Sequence, residues 1–512
     1  MLKKLFLLLI ILISAGAFGQ DFGFGFDDDT SAASGTVSVK IGGEIAAEFA
    51  PYFHDFLENA DITEISLSNV KLNFTLSSPY IDIFTFFNLN AASISELWEG
   101  NERLKKSNYT PLIIDEAFFR AYIKAVNIEV GYRKLSWGKA DGGGPLDVTN
   151  PIDYSDLRKI TDLKAIKIAR PMLHITLNTG NFSKLEGVFI PNFAGHRFAE
   201  TGRWQPSQSK NMPSTIEAGI TSRATEKFTP MLTPLLQYDP SLITMFDNVK
   251  NNMASSLLGN ISVTYPSTDT FKYFQAGLRY TTTIGSVDIG GQYFYGNLFR
   301  PSFTIAGVDA FLDDLAVGIF GGYPPTLNQY YQGKPNLISP QIKYTRYHQI
   351  GVDYAQVLFG FNIRAEAAFH LTEDYKGKDG SLQNPFIGWS FGFDRDLFMG
   401  LNINLQCNET IRLFNKKIKD NPVLDAEAGT RAVSTRLTMQ LSKKFLKDNL
   451  ETKTTAIWDL ENSDFYIIPA IVYTMGSLTT ELSAGFFAGK ESGDLGQYRN
   501  NSYIKVGLKY SF

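Results

Sequence analysis

The sequence has 512 residues but only one cysteine, Cys407, and it has no long uninterrupted apolar run after its first residues. A lone cysteine excludes a disulfide framework, so an exported chain of this length must gain its stability by other means. The lack of a run of roughly 18 apolar residues excludes membrane-spanning helices beyond the N-terminus. The net charge of −4, from 48 basic and 52 acidic residues, gives no basis for binding nucleic acid.

Patterns that would indicate catalysis or metal binding are also scarce. The five histidines, at positions 54, 174, 196, 348 and 370, have no metal-ligand spacing, and no nucleophile motif accompanies them. The glycines at 142–144 precede neither a Lys-Ser/Thr pair nor a helical pattern, so they do not form a phosphate-binding loop. We therefore expect neither an enzyme nor a cofactor. Four loop carboxylates could bind a cation, with solvated side chains as the alternative, namely Asp141, Asp147, Asp153 and Asp156.

Aromatic residues and glycine, in contrast, are plentiful, and the end of the chain shows how they are arranged. Ile504, Val506, Leu508, Tyr510 and Phe512 alternate with polar or small residues. A period of two places these five residues on one face of a β-strand. Outer-membrane barrels need such strands, because lipid covers the outer face and water the inner face. A soluble β-sandwich is the alternative, since it can end on a similar strand.

The same alternation recurs along the chain, for example over residues 70–77, 116–126 and 361–371. Barrels of this kind have an even number of strands, which places both termini on the same side. Counting the alternating segments under this condition gives about 18 strands, with 16 to 20 as the range. The long connections then all lie on the opposite side, which argues against the sandwich. The sequence predicts an all-β fold, a transmembrane antiparallel β-barrel. Its long extracellular loops lie at 138–169, 192–271 and 297–340, and short helices are predicted at 93–106, 239–253 and 309–319.

The N-terminus carries an export signal. Lys3 and Lys4 precede an apolar run and a small-x-small cleavage site at 17–19, so residues 1–19 are predicted to be a signal peptide. The apolar run is too short for a membrane anchor, which is the alternative. Residues 20–35 are rich in Gly, Asp and Ser and are predicted to form a flexible periplasmic lead-in. The barrel is then expected over residues 36–512.

The strand phase also assigns charged residues to the inner face of the barrel. Rings of charge on such a face set the ion selectivity of a water-filled pore. The alternative is that many of these residues pair across neighbouring strands and only neutralise the wall. The candidates for lining a pore are Arg120, Arg133, Arg170, Arg279, Arg364, Glu366, Arg436, Lys505 and Lys509.

A longer motif follows the strand that ends near Arg133. A Trp-Gly turn at Trp137 leads into an Asp-x-x-Asn-Pro-x-Asp loop, and a later strand ends in an Ile-Pro-x-Phe step at 190–193. Over residues 130–300 the chain resembles a family of largely uncharacterised outer-membrane β-barrel proteins related to alginate-export-type porins. The resemblance implies a closed barrel and the passage of a solute that it does not name. The loop-motif residues are Trp137, Asp147, Asn150, Pro151 and Asp153. We interpret Trp137 as an aromatic of the membrane girdle, with a ligand platform as the alternative.

The leading hypothesis for function is a passive channel of the cell outer membrane for small hydrophilic or anionic solutes, because basic residues are modestly in excess on the inner face. A transporter for hydrophobic compounds, with segment 240–255 lining an apolar cup, and a surface adhesin or antigen are the alternatives. The expected partners are outer-membrane lipid, an unidentified small solute and the barrel-assembly machinery, whose terminal signature the strand ending in Phe512 resembles. A monomer is expected, because no flat apolar wall for a trimer can be identified.

Overall fold

The structure is a computed structural model. It describes residues 37–57, 69–90, 111–241, 266–320 and 338–512, together with 93, 94, 96, 243, 244 and 247. The predicted signal peptide and lead-in lie outside these residues, as do most of the segments predicted as helices at 93–106 and 239–253.

The wall of the molecule is a ring of β-strands. Each strand pairs antiparallel with the strands before and after it. Within the described residues the wall contains eighteen strands, which confirms the predicted fold class. They are β1 (Ser38–Phe49), β2 (Asn69–Ser77), β3 (Ile81–Leu89), β4 (Ile114–Ile123), β5 (Val126–Arg133), β6 (Arg170–Gly180), β7 (Ser183–Ile190), β8 (Gln275–Ile284), β9 (Val287–Asn297), β10 (Arg346–Leu358), β11 (Phe361–Thr372), β12 (Phe386–Asp396), β13 (Leu401–Arg412), β14 (Val433–Phe445), β15 (Leu450–Asp459), β16 (Asp464–Met475), β17 (Leu478–Ala488) and β18 (Tyr503–Ser511).

The ring closes where β18 pairs with β1. Ile45 lies opposite Tyr510 in this pairing, and the backbones of Gly43 and Phe512 exchange two hydrogen bonds of 2.9 and 3.0 Å. Short turns at one end, such as the one between β8 and β9, alternate with connections at the other end that are mostly long, such as the one between β7 and β8. All the long connections therefore lie at one end of the barrel, and the beginning of β1 and the end of β18 lie at the other.

The two faces of the wall differ in polarity. On β18, the apolar side chains of Ile504, Val506, Leu508 and Tyr510 point outwards and are 36–50% exposed, whereas Tyr503 points inwards and is 1% exposed. Similar exposed apolar side chains occur on the outer faces of the other strands. A wall with lipid on one face and water on the other requires this arrangement, in which large apolar side chains lie outside and charged ones inside.

The long connections carry helices and two short ribbons. The helices are α1 (Phe53–Leu57), α2 (Leu163–Ile166), α3 (Ser207–Lys210), α4 (Met212–Leu232) and α5 (Val308–Phe320). Turns of 3-10 helix lie at Leu157–Lys159, Leu235–Gln237, Phe271–Tyr273, Phe398–Gly400, Asn415–Lys417 and Gly496–Asn501. The ribbons pair Ser302–Ala306 with Ser339–Lys343, antiparallel, and Asp153–Tyr154 with Arg197–Phe198, parallel. None of the helices within the described part of the chain is long and apolar enough to cross a membrane.

The helix α5 agrees with the prediction at 309–319, but α4 was not predicted. At the helix predicted from Asp239, the described residues show the Asp239 carboxylate accepting bonds from the backbone N–H and the hydroxyl of Ser241, at 2.9 and 2.6 Å. The signal for α4 was nevertheless present, because five of its six buried residues recur every four positions. They are Ile216, Ile220, Ala224, Phe228 and Leu232.

Helices α4 and α5 share a hydrophobic core outside the barrel. Phe228 of α4 and Phe311 of α5 are at most 1% exposed, and Val423 from the connection between β13 and β14 joins them. At the edge of this core, Arg223 donates two hydrogen bonds, of 2.7 and 3.0 Å, to Asp309. The hydrogen bonds from Arg223 keep the pKa of the Asp309 carboxyl below its usual value, although partial burial opposes them. The external loops therefore form a small folded unit of their own.

We predict that Phe311→Ala loosens this external core and leaves the barrel intact. Removing a buried phenylalanine costs about 3–5 kcal/mol, and here the loss is confined to contacts outside the wall. Limited proteolysis should then cut within 205–320 at much lower protease concentration, while heat-modifiable migration in detergent stays unchanged. Tyr238→Ala is the control, because Tyr238 is 87% exposed. Equal protease resistance of Phe311→Ala and the control would contradict the prediction.

Candidate functional site

The connection between β5 and β6 turns into the barrel, although the sequence placed it outside. We call residues 134–147 of this connection the inner loop. It leaves the wall beside Arg133, at the end of the long connections. Near its tip, Lys139 lies 3.7 Å from Asp288 of β9, which is close to the opposite end of the barrel. The loop then rises again to Leu146. It therefore runs through most of the depth of the lumen.

The inner loop is held by one carboxylate of the wall. Glu366 of β11 accepts backbone hydrogen bonds from Lys139, from Ala140 at 2.7 Å and from Leu146 at 3.4 Å. The side chain is 3% exposed. Three N–H donors stabilise a carboxylate that would otherwise be costly to bury. Glu366 therefore anchors both arms of the loop to the same point.

Glutamines on β9 and β10 fix the returning arm. The Gln292 amide donates to the carbonyl of Leu146 at 2.9 Å, and the Gln349 amide donates to the carbonyl of Pro145 at 2.7 Å. A 2.7 Å bond from Gln292 to Gln349 joins the two amides. These bonds satisfy backbone carbonyls inside the barrel that would otherwise lack partners.

The wall makes room for the loop with glycines. A Cβ on Gly277 of β8 would lie 2.8 Å from the ring of Trp137, and one on Gly388 of β12 would lie 2.9 Å from Pro145. Any larger residue at these positions would push the loop away from the wall. The inner loop therefore covers the inner face of the barrel from β8 to β12, and the amide of Asn404 on β13 also donates to Asp141 of the loop at 2.7 Å.

Trp137 is part of this packing and does not belong to the membrane girdle. Its side chain is 4% exposed, and its ring meets Phe294 edge to face, with the centroids 6.3 Å apart. The girdle interpretation was wrong because the turn at Trp137 leads into the lumen and not to the membrane surface.

The other residues of the loop motif tie the base of the connection together. Asn150 accepts a bond from the N–H of Leu135 at 2.8 Å and donates to the carbonyls of Arg133 and Ile168, both at 2.9 Å. The carbonyl of Pro151 accepts from the N–H of Ile168 at 2.8 Å. The motif thus brings the two ends of a long connection side by side.

The two aspartates of the motif form ion pairs. Asp147 lies 2.7 Å from Lys167, and Asp153 lies 2.9 Å from Arg197 of the next long connection. Asp156 pairs with Arg158 at 2.8 Å, and Asp141 pairs with Arg364 of β11. The four carboxylates considered as cation ligands are therefore each bonded to a different basic residue.

A second segment, residues 191–207, crosses the outer mouth of the barrel. It starts at the end of β7, and its Trp204 ring packs against Phe487 of β17 and Tyr498, at centroid distances of 5.6 and 5.5 Å. The Trp204 N–H donates to the Tyr52 hydroxyl at 3.1 Å. The crossing segment therefore reaches the far side of the ring and narrows the entrance.

The crossing segment and the connection between β5 and β6 meet at His196. Its Nδ1 accepts the N–H of Ile152 at 2.9 Å, next to the ion pair between Asp153 and Arg197. Burial, with Arg300 nearby, lowers the pKa of His196 to about 3. The imidazole is therefore neutral at neutral pH and can act as an acceptor.

Of the nine pore candidates, three lie inside the barrel but under the loops. Arg170 is 1% exposed and donates to Asn192 at 2.5 Å, and Arg279 is 3% exposed and lies 2.6 Å from Asp353. Glu366 is the anchor described above. These side chains support the loops and do not form an open surface.

The six other candidates retain some exposure, and each is paired with a carboxylate. Arg120 and Arg133 both contact Glu129, at 2.7 and 3.0 Å. Arg364 lies between Asp141 and Asp394. The remaining pairs are Arg436 with Asp494 at 3.5 Å, Lys505 with Glu481 at 2.8 Å and Lys509 with Glu44 at 3.7 Å. The alternative of pairing across strands therefore applies to much of the set.

Two histidines that point into the barrel are held by neighbouring side chains. His174 lies between Glu129, at 2.7 Å, and Glu186, at 3.4 Å. His370 lies 2.9 Å from the Gln349 amide and stacks on Phe386. Within the residues that the structure describes, no group of three or more His, Cys, Asp or Glu is arranged to hold a metal ion.

No family model matches the chain, and no curated protein matches its sequence. Among solved structures, a BenF-like porin from Pseudomonas fluorescens Pf-5 is 10% identical, with 93% of this chain and 98% of that one covered and a TM-score of 0.42. OccAB3 of Acinetobacter baumannii is 9% identical, with 93% and 99% covered and a TM-score of 0.41. Wzi of Escherichia coli, a carbohydrate-binding β-barrel of the outer membrane, is 11% identical, with 92% and 84% covered and a TM-score of 0.42.

These likenesses concern the barrel alone, and the fold assignment rests on the strand pairings described above. The resemblance to barrels of the alginate-export type remains an expectation from the motif residues.

We predict that Glu366→Gln releases the inner loop. The amide offers one acceptor oxygen where the carboxylate offers two, and its NH₂ group faces backbone N–H donors. In planar bilayers the variant should show a larger or noisier single-channel current than the parent protein. Glu451→Gln, on the inner face of β15, is the control, because β15 lies outside the part of the wall that the loop covers. Identical current traces for the parent and Glu366→Gln would show that Glu366 does not hold the loop.

We also predict that acid loosens the contact at His196. Because its pKa is lowered to about 3 in the folded protein, the opened form takes up a proton first as the pH falls below about 6.5. The free energy that favours the closed contact over the opened form should fall by about 2–3 kcal/mol between pH 7 and pH 4.5. Hydrogen exchange at 151–153 and 196–198, corrected for intrinsic rates, should accelerate over this range. His196→Asn keeps an acceptor but does not titrate, so its exchange should remain flat. Parallel profiles for the two proteins would contradict the assignment to His196.

Proposed function

We propose that this protein is a porin-like channel of the cell outer membrane for the passive passage of small hydrophilic solutes. The observation that carries the proposal is the combination of a closed wall, apolar on the outside and charged on the inside, with a loop fixed inside the lumen. A loop that occupies part of a wide barrel narrows the water-filled path. Such narrowing gives a channel a size limit.

The charges on the path support a modest anion preference. Arg436 is 41% exposed at its side chain, and its contacts with Asp459 and Asp494 are long, at 3.9 and 3.5 Å. Lys509 is 45% exposed and lies 3.7 Å from Glu44. Loosely paired cations of this kind keep part of their field available to a passing ion, whereas closely paired ones do not.

The cellular setting belongs to the same proposal. A cleaved signal peptide over residues 1–19 would export the chain, and the strand ending in Phe512 would be read by the barrel-assembly machinery. Lipid would contact the exposed apolar residues on the wall. The chain would act as a monomer on an unidentified small solute.

We predict that the refolded protein gives discrete current steps in planar bilayers, with a reversal potential that indicates anion preference under a salt gradient. The double variant Arg364→Glu and Arg436→Glu should shift the reversal potential towards cations, because it replaces two lumenal cations by carboxylates. Arg395→Glu is the matched control, because its phase on β12 places it on the outer face, over the Phe361 ring. Unchanged selectivity in the double variant would exclude both arginines as pore determinants. Inserted protein without current would count against the open channel.

A further inference from the structure

Two phenylalanines face the lumen, although the inner wall is otherwise rich in charge. On β3, Ile81 and Ile83 point outwards and are 39% and 44% exposed, so Phe84 and Phe86 point inwards. Both rings are half-buried. Neither ring belongs to the charged set from which the sequence predicted the pore lining. Apolar rings that touch a water-filled space cost free energy unless something covers them.

The rings form a stacked array with Phe118 of β4. The ring centroids of Phe84 and Phe118 are 4.7 Å apart at an interplanar angle of 23°, and those of Phe84 and Phe86 are 6.4 Å apart at 18°. We call these three residues the aromatic shelf. The neighbours of Phe84 and Phe86 on β2 are Thr75 and Asn73, which have short polar side chains.

Two arginines hold the shelf in place. The guanidinium carbon of Arg120 lies 5.2 Å from the centroid of Phe84, and that of Arg133 lies 4.6 Å from the centroid of Phe118. Glu129 bonds to both guanidinium groups and so fixes their positions over the rings. Fixed rings can bind a flat partner without first losing rotational freedom.

The charges around the shelf largely offset each other. Arg120 and Arg133 share Glu129, while Glu116 accepts from the N–H of Lys134 at 2.7 Å and Asp82 accepts from the Tyr122 hydroxyl at 2.6 Å. Two cations therefore face three carboxylates. Because neither sign dominates, the shelf is suited to select for ring shape and not for net charge.

The shelf lies across the lumen from the inner loop. Strands β3 and β12 are nine positions apart in a ring of eighteen, so they face each other, and the loop packs on β12 through Pro145. At the loop tip, Gly142 and Gly143 are exposed, and a Cβ on Gly142 would meet no atom within 4 Å. The solute path is thus bordered by bare backbone on one side and by phenyl rings on the other.

We propose that the aromatic shelf is a binding site for solutes that carry a planar aromatic ring, which stacks on Phe84 and Phe86 during passage. This inference rests on the proposed channel function and adds the chemical class of the solute. The bound ring would cover the apolar surface that the shelf exposes to water. Offset stacking of rings contributes beyond the area it buries, so an aromatic ring should bind better than a saturated ring of the same size and charge.

The test measures how ring compounds block the ion current. Benzoate is compared with cyclohexanecarboxylate, and benzylammonium with cyclohexylmethylammonium, so that each pair differs only in the ring. The aromatic member of each pair should block at a roughly 2- to 10-fold lower concentration. In Phe84→Leu/Phe86→Leu, which keeps apolar bulk but removes the ring faces, this difference should disappear.

Phe87→Leu is the matched control, because Phe87 lies on the same strand and points outwards. It should behave as the parent protein does. Equal block by the aromatic and the saturated members, or an aromatic advantage that survives in Phe84→Leu/Phe86→Leu, would overturn the proposal. Block by benzoate alone, without benzylammonium, would also overturn it, because charge would then be the selecting feature.

A second measurement separates this proposal from the channel itself. Saturation-transfer NMR on the refolded protein in detergent detects benzoate and benzylammonium at the shelf whether or not current flows. A transfer signal that is strong for the parent and for Phe87→Leu but weak for Phe84→Leu/Phe86→Leu supports the shelf even if the protein conducts nothing. Equal signals for all three proteins would exclude the shelf, even if the protein conducts ions.

Discussion

The closed ring of backbone hydrogen bonds is the constraint on which the other features depend. The lipid interior offers no water to pair with an exposed N–H or C=O group, so a strand at an open edge would be left with several costly groups. The bonds between Gly43 and Phe512, and the register of β18 against β1, remove that edge. Once the ring is closed, side chains only need to match lipid on one face, and the inner face can hold charges, loops and aromatic rings.

The size of the ring explains why so much polar material lies inside it. Eighteen strands enclose a space too wide for the side chains of the wall alone to fill. The inner loop occupies part of that space and supplies N–H groups to Glu366, while Gln292 and Gln349 bond to its carbonyls. The wall and the loop therefore supply hydrogen-bond partners for each other. The same bonds decide which inward charges remain in contact with water, since Arg279 and Glu366 are covered and Arg436 is not.

The predictable features of this chain are those with a short sequence period. Alternation with a period of two identified the wall strands, because each strand is a local pattern. The even number of strands then assigned the long connections to one end of the barrel. The inner loop could not be predicted, since the contact between Glu366 and Leu146 joins residues 220 positions apart. Gly277 and Gly388 look like ordinary strand residues until their neighbours are known. Trp137 was misplaced for the same reason, because its surroundings come from other strands.

Pairing inside the lumen has a consequence for selectivity. A close ion pair has a weak field at a distance, so most of the basic residues on the inner face contribute little to the long-range attraction of anions. A path lined mainly by such pairs discriminates through the groups that stay uncovered. These include the loosely paired Arg436 and Lys509, the bare backbone at Gly142 and the rings of Phe84 and Phe86. Backbone and rings respond to the shape of a solute. Shape and local contact, more than total charge, should therefore govern passage through this barrel.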